Sequence, residues 1–530
     1  MDIWFPTHSM LTCDELAIVV AHTAIKALLV PAYRSTDFEV HRNWLSLTAS
    51  LPISEWYRDE ASPWTLDYPP LFALFERALA LVAPLFDARM LERGALGYAS
   101  HATVCFQRLS VICADSLLYA GVAAALSARR AGRSRGAAAR ARSDALAFAF
   151  VACDAGLLLV DHVHFQYNGM LLGILLLAAA AVERRAHRSA AALFASLLLL
   201  KHLFLLTAPL FFVQLLRAHC FVRTPTRLAF SPRRFCELAA IVVAIAAGVL
   251  APFAAVGALG DMTNRLFPFG ARGLTHSYWA PNVWALYNAA DVAAVAGARA
   301  LCAAGLVRRD GGGQLARAAS AMIAHTSGAV EPEAHAVLPS VSPAATAVLT
   351  LALNAPVLAA VWARPNARRF REALCVTSLA AFLTGWHVHE KAILTPLACA
   401  ALGALDGPAE LRAFLMLAAP AHFSLLPLLH GPAEYLLRVL IPCAYAAGAV
   451  LGVLLVDRRL FAAFTRADAF YLAGFVPLEL CVSIVLPVLA GARLPFVPLM
   501  LTSIYCAFGI LRATWLLAAV FWLARNERAS

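Results

Sequence analysis

DHVHFQYNGMLLGILLLAAAAVERRAHR, residues 161–188, decides the fold class. It opens on Asp161, His162, His164, Gln166, Tyr167 and Asn168, continues through an almost purely apolar run, and closes on Arg184, Arg185 and Arg188. Hydrocarbon between a polar end and an arginine end describes a membrane helix whose arginines stay in the cytosol. The polar groups at the other end need partners or solvent at a membrane boundary, so a functional site is the default reading for them.

The rest of the chain repeats that grammar. Its 530 residues are 61% hydrophobic and 14% charged, with a mean hydropathy of +0.72. A soluble core of that size could not hide so much apolar surface, so the solvent is lipid. The net charge of +11 does not indicate nucleic acid, because the arginines occupy short loops beside apolar runs, the pattern of cytoplasmic anchoring. The 12 cysteines are scattered, mostly in apolar runs and without a CxxC pair, and read as small buried side chains rather than a metal or disulfide framework. The first apolar run, roughly 16 to 31, leads straight into a polar loop with no small-residue cleavage site and is expected to be a signal anchor.

Arginine clusters set the topology. Arg129, Arg130, Arg133, Arg135, Arg140 and Arg142 form one; Arg184, Arg185 and Arg188 a second; Arg217, Arg223, Arg227, Arg233 and Arg234 a third. Arg364, Arg368, Arg369 and Arg371 follow, then Arg458 and Arg459, then Arg525 and Arg528. Further apolar runs lie near 103–127, 143–161, 168–182, 189–216, 237–257, 344–362, 373–386, 392–405, 411–429, 436–456, 468–490 and 496–523. The run 189–216 must leave and regain the cytosol, so Lys201 and His202 mark the tip between two short or broken helices packed inside protein. Counted so, residues 1–530 form one all-α polytopic membrane domain of about 14 spans, with both termini cytosolic. Parity leaves one span between 257 and 364, so residues 283–306, interrupted by Asp291 and Arg299, are expected as an interfacial helix. The non-cytosolic loops are then about 33–102, 161–169, 258–343 and 385–391, the third including a flexible Gly311, Gly312, Gly313 segment.

These loops hold the unusual residues. YRSTDFEVHRNW (33–44) and WTLDYPPLFALFE (64–76) place Asp37, Glu39, His41, Arg42 and Asp67 beside Trp44, Trp56, Trp64 and Tyr68. Acids at i and i+2 can aim one carboxylate at a reacting hydroxyl while the other holds its neighbours, and flat rings beside carboxylates suit sugars. The plain alternatives are solvated charges and an interfacial aromatic belt. His162 and His164 have His-x-His spacing, too weak alone to argue zinc with no cysteine near. RLFPFGARGLTHSYWAPNVWALYN (265–288) carries Arg265, Arg272, His276, Tyr278, Trp279, Asn282 and Trp284, and its prolines and glycines argue a shaped, non-helical loop. GWHVHEKAIL (385–394) offers Trp386, His387, His389, Glu390 and Lys391: a cation to neutralise an anionic headgroup, or an internal hydrogen-bond network.

On STDFEVHRNW (35–44), WTLDYPP (64–70), DHVHFQYNG (161–169), the stretch 267–288 and GWHVHEKAIL (385–394), the chain resembles the dolichyl-phosphate-glucose-dependent α-1,3-glucosyltransferases of the endoplasmic reticulum, nearly end to end. Two sisters make up that family, adding the first and the second glucose to the lipid-linked oligosaccharide, and the loops here follow the second-glucose pattern. The resemblance implies a GT-C fold with lumenal catalytic loops in the endoplasmic reticulum membrane. It also implies dolichyl phosphate glucose as donor, monoglucosylated lipid-linked oligosaccharide as acceptor, and inversion at the anomeric carbon. No cofactor or metal is expected, and no nucleic acid partner. By resemblance Asp37 is the base. Arg272, His389 and Lys391, with His387, would meet the donor phosphate, and Glu39 and Asp67 would position it. Acceptor contacts would come from His164, Gln166, Tyr167, Asn168, His276, Tyr278, Trp279 and Asn282, with residues 274–282 discriminating between acceptors. The rival readings are the first-glucose sister and a lipid-saccharide transporter or idle subunit.

Overall fold

Short polar residues punctuate the apolar runs, and in the computed structural model many of them start helices. Thr12 and Glu15 form a capping box at the head of Cys13–Leu28. Ser35 caps Thr36–Ser50, Ser100 caps His101–Ala114, Ser342 caps Pro343–Ala363 and Asn366 caps Ala367–Thr384. In each case a side-chain oxygen takes up an N–H that the first helical turn leaves unpaired. The structure describes residues 11–130, 137–223, 227–268, 272–276, 279–306, 335–490 and 496–523. Tyr278, Gly311 to Gly313, Arg133, Arg135, Arg525 and Arg528 lie outside them.

Among the described residues nine helices are long and apolar enough to cross a membrane, from His101–Arg129 to Val497–Leu523, and Asn168–Glu183 and His187–Leu200 are shorter apolar helices. The protein is an all-α polytopic membrane protein. One departure is a small antiparallel hairpin, Phe221–Arg223 with Leu228–Phe230, inside the third arginine cluster. The expected break inside 189–216 falls at Lys201: His187–Leu200 ends there, Lys201 is extended (φ −150°, ψ 115°), and a 3-10 turn from His202 to Thr207 leads into Ala208–Leu215.

Close packing surrounds the polar end of Asn168–Glu183. Gly173 lies against the helix Ser116–Arg130, and Gly169, four residues earlier, lies against the Asp115 side chain just before that helix. A Cβ on Gly173 would lie 2.2 Å from the Leu117 carbonyl oxygen, and one on Gly121 would lie 2.4 Å from the Gly173 oxygen, so both backbones need glycine to approach. By contrast Pro432–Ala463 and Arg466–Leu489 keep Leu451, Leu455, Phe470, Val488 and Leu489 exposed, as a lipid-facing wall requires.

Residues 283–306 contain the helix Val283–Ala303, which is not among the candidate spans. Trp284, Asn288, Asp291, Val295 and Ala298 form its buried stripe, at three- and four-residue spacing. The acid that interrupts its pattern is used internally: Asp291 accepts the N–H groups of Ala336, Val337 and Leu338 at 3.0, 2.9 and 2.8 Å, fixing the chain's return to the membrane helices. Another tie joins two of the polar loops, for Thr275 and Val388 form a parallel bridge.

Candidate active site

Asp37 lies at the head of Thr36–Ser50, in the turn that Ser35 caps by accepting the Asp37 N–H at 3.1 Å. One of its oxygens is crowded. Oδ2 accepts from Gln166 Nε2 at 2.6 Å and from Lys391 Nζ at 2.7 Å, and His164 Nδ1 stands 3.3 Å away. Oδ1 makes no hydrogen bond to the described residues, and the side chain is 20% exposed. Burial alone would push this carboxyl up; the Lys391 ammonium and the His164 ring outweigh it and hold it well below the usual carboxylate range. On Lys391 burial pulls down, and Asp37 and Glu390 outweigh it and raise the ammonium above its ordinary value. The two therefore form an ion pair at neutral pH, with one carboxylate oxygen open.

Gln166 and His164 reach Asp37 because the backbone beneath them is unusual. Ala141–Phe165 finishes as a π-helix from Leu158 to Phe165, and Phe165 has φ 102°. A bulky residue in that region stores strain of order 1–3 kcal/mol and persists only where its surroundings enforce it. Here they do. Buried Arg108 donates to the carbonyls of His162 at 2.7 Å, Val163 at 2.8 Å and Tyr33 at 2.6 Å. The Ser35 hydroxyl donates to the His164 carbonyl. The Phe165 ring is wedged edge-on against Phe38, His41 and Tyr167.

A sealed network lies behind this segment. Lys26 donates to Asp115 Oδ2 at 2.5 Å and to the Tyr119 hydroxyl at 2.8 Å, and His162 Nε2 meets the same Asp115 oxygen at 2.7 Å. Asp161 accepts from Asn168 Nδ2 at 2.8 Å and from the Gly169 N–H at 2.6 Å, while Lys201 donates to Asn168 Oδ1 at 3.0 Å and lies over the Tyr68 ring. Lys26, Arg108, Asp115 and Lys201 are not among the site residues expected from sequence. Their signal is visible there as charge inside apolar runs, which at membrane depth marks a functional or supporting position.

On the other flank of Lys391 stand three imidazoles. The His276 and His389 rings are 4.1 Å apart, and His387, at φ 49°, donates its N–H to the Leu274 carbonyl at 2.9 Å with its Nδ1 2.9 Å from the Gly273 oxygen. Burial, then neighbouring positive charge, pushes His276 down to about 4 and His389 well below its ordinary value; burial also lowers His387. The rings are thus neutral at pH 7, leaving Lys391 and Arg272 as the cations, the latter paired with Asp67 at 3.1 Å. Glu390 is buried with both carboxylate oxygens unpartnered, and burial raises it. The ligand atoms of His276, His389 and Glu390 lie within 4.8 Å of one another, the separation a metal ion could bridge, although the Lys391 ammonium beside them opposes a cation.

All four sequence-expected loops therefore meet: Asp37 from the first, His164 and Gln166 from the second, Arg272 and His276 from the third, His387, His389 and Lys391 from the fourth. Other candidates are taken up by the fold. Glu39 holds Arg42 through two bonds of 2.7 Å, and Arg42 in turn reaches the Met90 carbonyl at 2.9 Å. Tyr167 is bonded to Ser110 at 2.7 Å within the aromatic cluster, and Asn168 is spent on Asp161 and Lys201. Trp279 is buried. Asn282 caps Val283–Ala303 and donates to the Phe382 carbonyl at 3.2 Å. The side chains of all four acceptor candidates, Tyr167, Asn168, Trp279 and Asn282, are buried.

A carboxylate with one open oxygen beside a fixed ammonium can take a proton from a hydroxyl while an anion gathers charge next door, the requirement of transfer from an anionic leaving group to an alcohol. Known proteins agree with that chemistry. Over 93% of its length the chain is 41% identical to 93% of a mouse protein named dolichyl pyrophosphate Glc1Man9GlcNAc2 alpha-1,3-glucosyltransferase. It is 38% identical, over 92% of its length, to 94% of an Arabidopsis thaliana protein of the same name. A Drosophila melanogaster protein named as a probable enzyme of that kind is 40% identical over 92% of this chain and 91% of its own. The model of the ALG6, ALG8 glycosyltransferase family matches residues 22–517, and the chain belongs to that family.

Proposed function

We propose that this protein transfers glucose from dolichyl phosphate glucose to the terminal glucose of Glc1Man9GlcNAc2-PP-dolichol, forming an α-1,3 bond with inversion. The observation that carries the reading is the Asp37–Lys391 pair with Asp37 Oδ1 left open. Oδ1 takes the proton of the acceptor 3-hydroxyl as its oxygen attacks the anomeric carbon. The bond from that carbon to the phosphate oxygen breaks, and dolichyl phosphate leaves with the electron pair. Phosphate is a good leaving group, so no strong acid is required; Lys391 supplies positive charge where the negative charge collects. As the phosphate draws Lys391, the ammonium relaxes its hold on Asp37, which becomes a stronger base at the moment it is needed. Neutral His276 and His389 donate hydrogen bonds to the same phosphate, and no metal takes part.

The reading places the protein in the endoplasmic reticulum membrane in a GT-C fold, with the Asp37 side facing the lumen and both termini in the cytosol. The reading counts fourteen spans, taking Cys13–Leu28, Ala367–Thr384 and Leu394–Gly403 as crossings together with the nine long apolar helices and the two shorter ones among the described residues. Glycosylation acceptor sites inserted at about residue 60 and about residue 320 should be modified, and one near Arg135 should not. Activity is tested with purified protein in detergent, labelled dolichyl phosphate glucose and two defined acceptors. Transfer to the monoglucosylated acceptor and not to the unglucosylated one is expected. The reverse preference assigns the first-glucose reaction, and binding without transfer assigns transport.

A further inference from the structure

Beside the Asp37 cluster lies a cavity of about 580 Å³. That volume falls within the range of clefts that enclose whole ligands, and exceeds what one sugar ring fills. Its wall is charged yet balanced. Arg58 faces Asp261 at 2.7 Å, Arg265 faces Glu60 at 3.0 Å and Arg272 faces Asp67 at 3.1 Å, with Thr65 and Asn264 between them. Each guanidinium already has its carboxylate, so a pyrophosphate entering here would find no uncompensated cation. A lipid tail would leave these polar groups without water or partners. A neutral ligand dense in hydroxyls suits them, because paired guanidinium and carboxylate groups present donors and acceptors side by side.

A short chain of contacts ties the cavity to the reacting centre. Tyr57, on its wall, donates to the Tyr68 carbonyl at 2.8 Å; the Tyr68 hydroxyl donates to Gln166 Oε1 at 3.3 Å; Gln166 donates to Asp37. We propose that this cavity is the subsite for the neutral oligosaccharide arm of the acceptor, the sugar rings that precede the one bearing the reactive hydroxyl. This rests on the glucosyl-transfer reading above.

Two exposed positions test it without touching the Asp37 cluster. Asn264→Trp fills the cavity from the exposed face of the helix Leu259–Leu266, and Arg58→Ala removes one rim pair whose arginine is half exposed. Each variant is assayed with the full monoglucosylated lipid-linked acceptor and with a synthetic lipid-linked acceptor whose arm holds only the terminal glucose and one mannose. Asn264→Trp should raise KM for the full acceptor about tenfold or more and Arg58→Ala about fivefold, the loss of one or two net hydrogen bonds. KM for the short acceptor, donor KM and kcat should stay within about twofold. Equal losses on both acceptors, a raised donor KM, or no change in either variant would each overturn the subsite. Failure of the unaltered protein to glucosylate any monoglucosylated acceptor would instead sink the reading on which it rests.

Discussion

The protein builds the same trio twice and uses it in two ways. In one, Lys391 and His164 converge on a single oxygen of Asp37 at 2.7 and 3.3 Å; in the other, Lys26 and His162 converge on a single oxygen of Asp115 at 2.5 and 2.7 Å. The two histidines stand two residues apart on one strained π-turn and face opposite clusters. What differs is access. The Asp37 side chain is 20% exposed and keeps an open oxygen, whereas those of Lys26, Asp115 and His162 are 1–3% exposed. Residue type thus does not distinguish a reacting group from a supporting one; solvent access does. A charge pair sealed in the protein is a fixed strut, and breaking it strands a charge. A pair that is partly exposed can exchange partners with a substrate.

The largest effect expected from this contrast is on the sealed side. Asp115→Ala leaves Lys26 buried without its carboxylate, and should destabilise the protein by about 3–5 kcal/mol. Thermal unfolding in detergent measures it. Adding Lys26→Met to an Asp115→Leu variant should recover most of the loss, since removing both charges also removes their desolvation. If Asp115→Ala alone melts with the parent, water reaches the pair and the contrast fails.

On the open side the same kind of change should act on rate. Asp37→Asn preserves shape and removes the proton acceptor, so turnover should fall by ~10² or more while the melting temperature holds. Near-normal turnover would remove Asp37 from the role of base.

Much of this was legible in the sequence, and for a physical reason: apolar runs bounded by arginine mark long apolar helices, so the helices, the break at Lys201 and the meeting of the polar loops could be read from composition along the chain. The break at Lys201 is an example, a lysine too costly for lipid and therefore at a tip. The supporting layer was less legible. Arg108 and Asp115 sit inside one apolar run, but nothing local tells that Arg108 would grip the carbonyls of His162 and Val163, contacts some 54 residues away. Nor could sequence separate Gln166, which reaches Asp37, from its neighbour Tyr167, which turns into the core against Ser110; a π-turn with φ 102° at Phe165 decides that, and π-turns carry no local code. The acceptor candidates Trp279 and Asn282 look like ligand contacts by type, and are respectively a buried side chain and a helix cap.

The two histidines sharpen the comparison at smaller scale. His162→Leu should lower stability by about 1–3 kcal/mol, because the Asp115 carboxylate loses a buried partner. His164→Leu should leave melting nearly unchanged and lower kcat/KM about tenfold, through the Asp37 oxygen it orients. Identical effects of the two substitutions would mean that the π-turn responds as one unit and that the clusters are not separable.

The smallest expected effect is a displacement of pH limbs. Asp37 must be ionised to accept a proton, and its folded-state pKa is depressed, so kcat/KM should stay flat as pH falls from neutral to the ordinary carboxylate value near ~3.9 and drop only below it. The stability from the Asp37–Lys391 pair follows the same sign: on the acid side it is present above the unfolded carboxylate pKa and lost as pH falls through the lower folded one. On the alkaline side Lys391 is raised, so the contribution is complete below its unfolded value near ~10.4 and lost as pH rises through the folded one. Lys391→Gln removes the chief group holding Asp37 down while burial still pushes it up, and should move the acid limb of kcat/KM to higher pH. The profile of kcat reports the substrate complex. There the donor phosphate already draws Lys391 away, so in the parent the kcat limb should lie above the kcat/KM limb, and in Lys391→Gln that gap should close. Coincident limbs in the parent would mean that the ammonium stays on Asp37 through the reaction, and that the open pair is as fixed as the sealed one.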